Sequence, residues 1–574
     1  MPGLIGFTDR NHIHGETMLL NMRKLLKHFD SYVDEELYSD EDVYASRTHL
    51  GIVKQGKQPY VYNNRLLSWL EGEFYNRDEL RSKYCVASAT DNELLADIYN
   101  SANSFEFLRD IDGCYAAVLY DKEEDKVFLI TDRYGFKPLY WGTINNDLVW
   151  SSEVKGFLGH MDFKPVIDLQ AVKEFFGIGY LLENRTWFEG IELVPPASFL
   201  AFDLKKSKIE IKQYWSWNEI KTIKGYIDEG EIVEELGRLL KKAVSRRVNG
   251  ERICVPISGG LDSRAIFAAV PEDYKPLHTF TYGRKGCDDI KIARQVSMVK
   301  GAIHHILELD SSNWLMPRIS SVWKSDGVLN LLHVHGGGFY DKYKSCADFI
   351  LTGFFGGEII GGQLVGINKP MEYKVRNTGR RFGNSGLIVG ESYFIVRRPY
   401  FDNNLSNLIF SIPEKSTFSI YRKMLLRSFP QFYNTIPYEK IGFPISYPIQ
   451  IIKIAKFKNR IIRRLKHESL KFGVRFKDTK GYTDYALWIR REPARSFFEK
   501  LLMNKNAMYP EYVDKNKVYT YLTDHMERKA NYHDELSLFL TFELWLQQVF
   551  EEKYRVAPEE TRSRQAPFKE MTRT

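Results

Sequence analysis

The sequence predicts an antiparallel β-rich domain followed by an α/β domain built on a parallel sheet. From Gly3 to about Leu204, short β-branched and aromatic runs alternate with Asp, Asn and Gly turns. Beyond this region a buried-strand pattern, a glycine loop and a helix succeed one another at 253–269, and similar successions recur at 275–301 and 347–357. The 574 residues, 44% of them hydrophobic, suffice for two or three packed domains.

The N-terminal region has the signals of several strands and one helix. Strands are predicted at 116–121, 126–132 and 148–153, where apolar and aromatic residues dominate. The helix is predicted at 92–102, directly after a Thr-Asp-Asn cap signal. We therefore assign the first domain to residues 1–204.

A charged segment separates the two domains. Residues 205–230 are dense in Lys, Glu and Asp and are predicted to form a connector. The second domain is assigned to 231–556; it opens with helical periodicity at 232–248 and is mostly helical after about Phe394. The last residues, 557–574, are predicted to be a polar tail.

Composition favours a globular chain in a reducing compartment. The 14% aromatic share is too high for a disordered chain, and the net charge of +7 suits an anionic substrate without requiring a nucleic acid. The five cysteines are widely spaced and form no CxxC pair. Because there is no signal-peptide pattern and no uninterrupted apolar run of about 18 residues, we expect a cytoplasmic chain without a membrane span.

The strongest chemical signal lies in the loop between the strand at 254–257 and the helix that begins near Arg264. Its glycines allow close backbone approach, its amides lie at a helix N-terminus, and its acidic residue can hold a Mg²⁺ ion. This arrangement is typical of a phosphate site, although the chain lacks the GxxxxGK[ST] pattern of a Walker loop. The predicted ATP- and pyrophosphate-binding residues are Ser258, Gly259, Gly260, Leu261, Asp262 and Ser263.

The Ser-Gly-Gly-Leu-Asp-Ser loop resembles the pyrophosphate loop of the asparagine synthetase family, which includes β-lactam synthetase, carbapenam synthetase and lasso-peptide cyclases. Other segments resemble landmarks of that family in the same order, so the resemblance covers about residues 1–445. They lie at 112–121, 131–142 and 151–158 in the first domain and at 279–283, 352–362, 397–405, 421–430 and 438–443 in the second.

The resemblance implies a fold for each domain. The N-terminal domain would be an αββα amidotransferase-like sandwich of the Ntn type, as a degenerate form of the type 2 glutamine amidotransferase domain. The C-terminal domain would be a doubly wound α/β domain of the adenine-nucleotide α-hydrolase-like type.

The resemblance also implies a two-step ligase with ATP and Mg²⁺ as cofactors. A substrate carboxylate would attack the α-phosphate of ATP to give an acyl-adenylate and pyrophosphate, and an amine would then displace AMP. Asp262 would position the ion, and Lys440 matches the family's catalytic lysine. Lys423 and Arg427 are secondary candidates for cationic groups. Two further residues are expected at the nucleotide, Thr281 and Gly353.

The glutaminase half departs from the family pattern. Glutamine-hydrolysing members have a nucleophilic Cys at residue 2, where this chain has Pro2, which offers neither a thiolate nor a hydroxyl. The family's Asn-Gly-Glu stretch appears as Glu-Gly-Glu, and the carboxylate of Glu71, next to Gly72, would repel a developing oxyanion. Asp91 still occupies the region that would bind the amino group of glutamine. We therefore expect an inactive glutaminase.

The second glycine loop also departs from the family pattern. Aligned on Thr352 and Gly353, the chain has Phe354 where the family has Glu or Tyr, and Gly357 where it has a metal-binding Asp. Glu358 is the neighbouring carboxylate that could replace the missing ligand.

Three functions remain open on the sequence. The favoured one is an AMP-forming carbon–nitrogen ligase in which ammonia or a substrate amine attacks a small-molecule or peptide carboxylate. The alternatives are a pseudoenzyme or regulatory scaffold, and an RNA-modifying ATP-pyrophosphatase that uses the basic segment 451–480. An amphipathic surface helix explains that segment equally well, so we expect no nucleic-acid partner; a homodimer is compatible with the sequence.

Overall fold

Two compact units make up the chain. The computed structural model describes residues 1–10, 12, 15–53, 55–102, 104–223, 228–249, 251–363, 368–471 and 481–556. The N-terminal unit consists of Met1–Glu219 with Lys324–Leu329 and Lys369–Tyr393, and the C-terminal unit contains the rest of the described chain. Within the described residues, no helix has both the length and the apolar character that a bilayer crossing requires.

The strands of the N-terminal unit form two antiparallel sheets. Their bounds are β1 (Gly3–Thr8), β2 (Val33–Asp34), β3 (Tyr38–Ser39), β4 (Val43–His49), β5 (Tyr60–Tyr62), β6 (Leu66–Phe74), β7 (Gly113–Asp121), β8 (Lys126–Thr131), β9 (Tyr140–Ile144), β10 (Asp147–Ser151), β11 (Ile191–Leu193), β12 (Ser198–Asp203) and β13 (Lys208–Gln213). One sheet has the order β11-β9-β10-β1-β4-β2, with β3 beside β4, and the other has the order β13-β12-β8-β7-β6-β5.

Helices pack against the sheets of both units. In the first half of the chain they are α1 (Gly15–Leu26), α2 (Arg77–Tyr84), α3 (Asp91–Ala102), α4 (Leu169–Ile178), α5 (Glu229–Ser245), α6 (Asp262–Ala269) and α7 (Asp288–Val299). They continue with α8 (Met316–Lys324), α9 (Tyr340–Tyr343), α10 (Gly356–Ile359), α11 (Met371–Tyr373), α12 (Asn384–Ile388), α13 (Asn403–Ser411), α14 (Thr417–Ser428), α15 (Pro430–Tyr433), α16 (Ile449–Lys471), α17 (Tyr485–Trp488), α18 (Ala494–Leu502), α19 (Lys515–Met526) and α20 (His533–Phe550).

The core of the N-terminal unit lies between its two sheets. Alternate residues of β1, β4 and β10 on one side and of β6, β7 and β8 on the other point inward, including the buried Trp69 and Trp150. On the outer faces α1 packs on β1 and β4, and α3 packs on β5 and β6. The predicted antiparallel sandwich with helices on its outer faces is therefore confirmed.

The border between the units differs from the expected one. β13 forms an antiparallel hairpin with β12, because Ser198 to Asp203 pair with Gln213 to Lys208. Part of the predicted connector therefore belongs to the second sheet, and the connector's last residues include the start of α5, where the Asp228 carboxylate accepts the Gly230 N–H at 2.7 Å. The segments 324–329 and 369–393, which the sequence places in the second domain, group with the N-terminal unit. The tail 557–574 lies outside the described residues.

The C-terminal unit contains the predicted parallel sheet. Its strands are β14 (Ile253–Pro256), β15 (His278–Gly283), β16 (Ile303–Glu308), β17 (Phe349–Leu351) and β18 (Ile395–Arg397). All four neighbouring pairs are parallel, and the order is β16-β15-β14-β17-β18. The order reverses between β14 and β17, and in sheets of this kind ligands bind at the carboxyl ends of the strands at such a switch point.

The basic segment forms the long helix α16 where it is described. The side chains of Ile454, Phe457 and Leu465 are exposed along it, whereas an ordinary amphipathic surface helix would bury its apolar face. Residues 472–480 of that segment lie outside the described residues.

Candidate functional site

The predicted phosphate loop lies at the switch point of the parallel sheet, between β14 and α6. Within it the Gly260 N–H donates to the Ser258 hydroxyl at 3.2 Å, and the Ser258 N–H donates to the Ser263 hydroxyl at 3.3 Å. The Gly259 N–H donates to the Asp289 carboxylate on α7 at 2.9 Å. The two serine hydroxyls thus stabilise the turn from inside, and Asp289 holds one glycine amide.

The second glycine loop, which follows β17, packs directly on the first. A Cβ atom at Gly353 would lie 2.4 Å from the Ser263 main-chain nitrogen, and one at Gly357 would lie 2.7 Å from the Asp262 carboxylate. The Gln363 amide nitrogen would be 2.0 Å from that second Cβ atom. Gly357 therefore lies beside Asp262, and Gln363 occupies the space that a side chain at residue 357 would need.

Asp262 is the electrostatic centre of this edge of the sheet. Removal of its carboxylate from water, together with the charge of Glu358, raises the pKa of Asp262 to about 7, although the Tyr421 hydroxyl and Lys440 favour the charged form. Burial also raises the pKa of Glu358, which Lys440 again opposes. Glu358 and Lys440 are therefore near enough for their charges to act on Asp262.

These two carboxylates fit a magnesium ion. They are hard oxygen donors, which Mg²⁺ prefers, and the charge of Glu358 disfavours an ionised Asp262 more than the charge of Lys440 favours it. A divalent cation between Asp262 and Glu358 would remove that imbalance. Gly357 contributes no side-chain donor.

Two buried tyrosines next to Asp262 escaped the sequence analysis. The Tyr421 hydroxyl on α14 donates to the Asp262 carboxylate at 2.9 Å and lies 2.7 Å from the Tyr400 hydroxyl. The Tyr433 hydroxyl on α15 donates to the Leu261 carbonyl at 2.7 Å. Both sides of the loop's acidic turn are therefore hydrogen-bonded to aromatic residues of the helical region.

Lys423 and Arg427 lie on the other side of α14. The Lys423 side chain is 50% exposed and pairs with Glu229, and Arg427 pairs with Glu234 at 2.7 Å. Residues two apart on a helix are separated by about 200°, so Tyr421 and Lys423 cannot share a face. The buried residues of this helix are Thr417, Ile420, Tyr421, Met424 and Leu425. Their helical spacing in the sequence could have shown that Tyr421 is on the buried face and that Lys423 is not.

Lys440 reaches the site on a turn that is tied to the phosphate loop. The Glu439 N–H donates to the Gly259 carbonyl at 3.1 Å, and the Asn459 side-chain amide on α16 donates to the Lys440 carbonyl at 2.7 Å. The buried Arg264 guanidinium donates to the Gly259 carbonyl at 3.2 Å and to the Pro437 carbonyl at 2.7 Å. Arg264, which the sequence indicated only as the start of a helix, therefore connects the phosphate loop to the turn that carries Lys440.

Thr281 and Gly353 have structural contacts at this edge. The Thr281 hydroxyl on β15 donates to the Ile257 carbonyl at 2.5 Å, which joins β15 to the start of the loop. Gly353 provides the close backbone approach described above.

The N-terminal unit holds a separate cluster of charges at the positions that the sequence compares with a glutaminase site. Glu71 on β6 lies 3.0 Å from an Arg47 guanidinium nitrogen and 3.6 Å from the Lys137 ammonium, which lies 2.8 Å from Glu391. Burial alone would lower the pKa of Lys137, but Glu391 and Glu71 outweigh burial and raise it. Lys137 is therefore a charged, buried counter-ion to both carboxylates.

The remaining positions of this cluster have internal partners. The Gly72 carbonyl accepts from the Gln55 side-chain amide, with Gly72 at a φ of 125°. The Asp91 carboxylate accepts from Arg77 at 2.6 Å and from the Phe74 N–H at 3.1 Å. Pro2 is buried directly before β1 and offers no nucleophile.

Comparisons with known proteins also divide the chain into two regions. A model of the glutamine amidotransferase domain matches residues 1–215, and a model of asparagine synthase matches residues 235–362. The chain therefore has a region similar to the glutamine amidotransferase domain and a region similar to asparagine synthase. Its amidotransferase domain includes β13, and its synthase domain includes both glycine loops.

Three curated relatives each match less than half of the chain. A putative glutamine-hydrolysing asparagine synthetase 2 of Methanocaldococcus jannaschii is 32% identical over 41% of this chain and 46% of its own. The glutamine-hydrolysing asparagine synthetase 2 of Bacillus subtilis is 27% identical over 43% and 35%. The carboxyethyl-arginine beta-lactam-synthase of Streptomyces clavuligerus is 28% identical over 45% and 48%. The chain thus spans about half or less of the length of each relative.

We predict that Tyr421→Phe weakens Mg·ATP binding about 10-fold, because it removes the donor that orients Asp262 and stabilises its charge. Isothermal titration calorimetry measures the change. Lys423→Ala, two residues away on the opposite face, is the matched control and should bind as the wild type does. Equal effects of the two substitutions would contradict the assignment of Tyr421.

A second prediction concerns the buried charges of the amidotransferase domain. Lys137→Met leaves the Glu71 and Glu391 carboxylates without their shared cation and should lower the free energy of unfolding by about 3 kcal/mol. Lys122→Met, which removes a 38% exposed partner of Asp40, should cost less than about 1 kcal/mol. Urea unfolding followed by fluorescence measures the free energy of unfolding of both variants. Similar losses in the two variants would contradict the claim that the buried ion pairs stabilise the domain more than the exposed pair does.

Proposed function

We propose that the chain is an ATP-dependent ligase that activates a carboxylate as an acyl-adenylate and forms an amide. The observation that carries this proposal is the convergence of both glycine loops and the Lys440 turn on Asp262, at the carboxyl edge of the parallel sheet. This arrangement supplies backbone amides, a metal-binding carboxylate and a cation at one place. Those are the groups that a reaction on a nucleotide phosphate requires.

The chain's own residues would act mainly by positioning and charge. The Ser258 and Ser263 hydroxyls and the amides of residues 261–263 at the start of α6 would hold the β- and γ-phosphates of ATP, and the substrate carboxylate oxygen would attack the α-phosphorus. Lys440 would stabilise the negative charge that builds up on the α-phosphate during this attack. A Mg²⁺ ion held by Asp262 and Glu358 would neutralise the pyrophosphate when bound.

The second half-reaction needs an amine that does not come from glutamine hydrolysis in this chain. The position of the family's oxyanion donor carries Glu71, whose carboxylate is paired with Arg47 and Lys137, and residue 2 is proline. We therefore propose that free ammonia or an amine of the substrate attacks the acyl-adenylate and displaces AMP. The acyl substrate would be a small-molecule or peptide carboxylate.

The ligase assignment predicts a large catalytic effect at two residues. Asp262→Asn and Lys440→Ala should each lower kcat/KM for pyrophosphate release by about 100-fold or more, since each removes a charge that stabilises the transition state. The assay follows pyrophosphate from ATP with ammonia and a panel of amino-acid and peptide carboxylates. Lys423→Ala is the control and should keep wild-type turnover.

Two outcomes of that assay would overturn the proposal. Wild-type turnover in Asp262→Asn would remove the loop from the chemistry. Release of phosphate and ADP instead of pyrophosphate and AMP would assign the reaction to another class. Absence of any turnover, with Mg·ATP still bound, would favour a regulatory scaffold.

The silent glutaminase is tested by glutamate release from glutamine. The wild type and the Pro2→Cys variant should both remain at the level of the blank, because Pro2→Cys restores a thiol but leaves the Glu71 carboxylate at the oxyanion position. Glutamate formation by the wild type would contradict the proposal. Formation by Pro2→Cys alone would show that Glu71 does not block the reaction.

A further inference from the structure

Three side chains with metal-ligating atoms meet at the opposite, amino-terminal edge of the parallel sheet. His278 is the first residue of β15, His305 lies on β16, and Cys346 lies in the turn before β17. Their ligand atoms all lie within 4.8 Å of one another. The length of β15, six residues, separates this edge from the phosphate loop by about 17 Å.

Strand register places the two histidines on the same face of the sheet. His305 pairs with Phe280, which is two residues after His278 on β15, so the side chains of all three point to one side. The imidazole rings stack with centroids 5.3 Å apart and an interplanar angle of 6°. The His278 Nδ1 and His305 Nε2 atoms are 3.0 Å apart.

These separations are close to those of a tetrahedral zinc site. With Zn–N distances near 2.0 Å and Zn–S near 2.3 Å, neighbouring ligand atoms lie about 3.3 to 3.7 Å apart. Small side-chain rotations would therefore suffice to place His278, His305 and Cys346 around one ion. Two imidazoles and a thiolate are also ligand types that zinc and cobalt share.

The cluster is accessible from solvent. His278 and Cys346 line an open cleft of about 640 Å³, together with Glu251, Arg252, Tyr274 and Lys275. An ion can therefore enter from solvent, and one coordination position would face the cleft.

We propose that His278, His305 and Cys346 bind a zinc-type divalent ion, with an open coordination position that faces this cleft. Three protein ligands and one open position are the arrangement that lets a metal bind water or a small anion. The site is distinct from the Asp262 edge and does not depend on the ligase assignment.

The test is a titration of the metal-free full-length chain, without an affinity tag, with Co²⁺. The expected result is one bound ion per chain, with intense visible bands of a tetrahedral site and a near-ultraviolet thiolate-to-cobalt band. Cys346→Ser should lose the thiolate band, and His305→Ala should weaken Co²⁺ binding more than about 10-fold. Cys85→Ser, which replaces an exposed cysteine in the N-terminal unit, is the control and should behave as the wild type does.

Circular dichroism and Mg·ATP binding show that each variant is folded. The half-buried His278→Gln provides a second variant if His305→Ala fails to fold. Absence of the cobalt bands in the wild type would overturn the proposal. So would bands that persist unchanged in Cys346→Ser, because the histidine pair and the Cys346 to Tyr343 hydrogen bond would then be ordinary packing.

Discussion

The close approach of two glycine loops at the switch point of the parallel sheet is the constraint on which the synthase domain depends. There is no room for a Cβ atom between Gly353 and the Ser263 backbone, so β14 and β17 must end with their loops in contact. This contact places Asp262 against Glu358 and leaves its carboxylate open to the hydroxyl of Tyr421. Arg264 then fixes the Lys440 turn to the same loop through main-chain carbonyls. Each proposed role follows from that one contact.

The N-terminal unit also contains buried charges, and there they are paired with one another. A buried charge is tolerated when an opposite charge lies beside it, and Lys137 satisfies two carboxylates at once. Glu71 is thereby held in place by Arg47 and Lys137, where an amidotransferase would need a donor for an oxyanion. The cluster therefore pairs the buried charges of the unit, and it supports the proposal that this domain does not hydrolyse glutamine.

Patterns within short stretches of the sequence predicted the structural elements that those stretches form. The phosphate loop, both classes of sheet and the helix at 92–102 follow from residue pattern and spacing, and they are present. Tyr400 and Tyr421 could not be found in that way, because their role depends on which face of a distant helix meets Asp262. The same geometry explains why Lys423 lies on the surface. The N-terminal unit includes later segments such as 324–329, which no local pattern indicates, because membership of a unit is decided by long-range packing.

The most direct test of the central claim is phosphorus NMR of ATP bound in the presence of Mn²⁺, which replaces Mg²⁺ and broadens nearby nuclei. We expect the strongest broadening at the β- and γ-phosphorus signals, and its loss in Asp262→Asn, because the metal should rest on that carboxylate beside the pyrophosphate. Unchanged broadening in Asp262→Asn would contradict the account, since the two glycine loops would then not form the site at which the nucleotide and its metal are held.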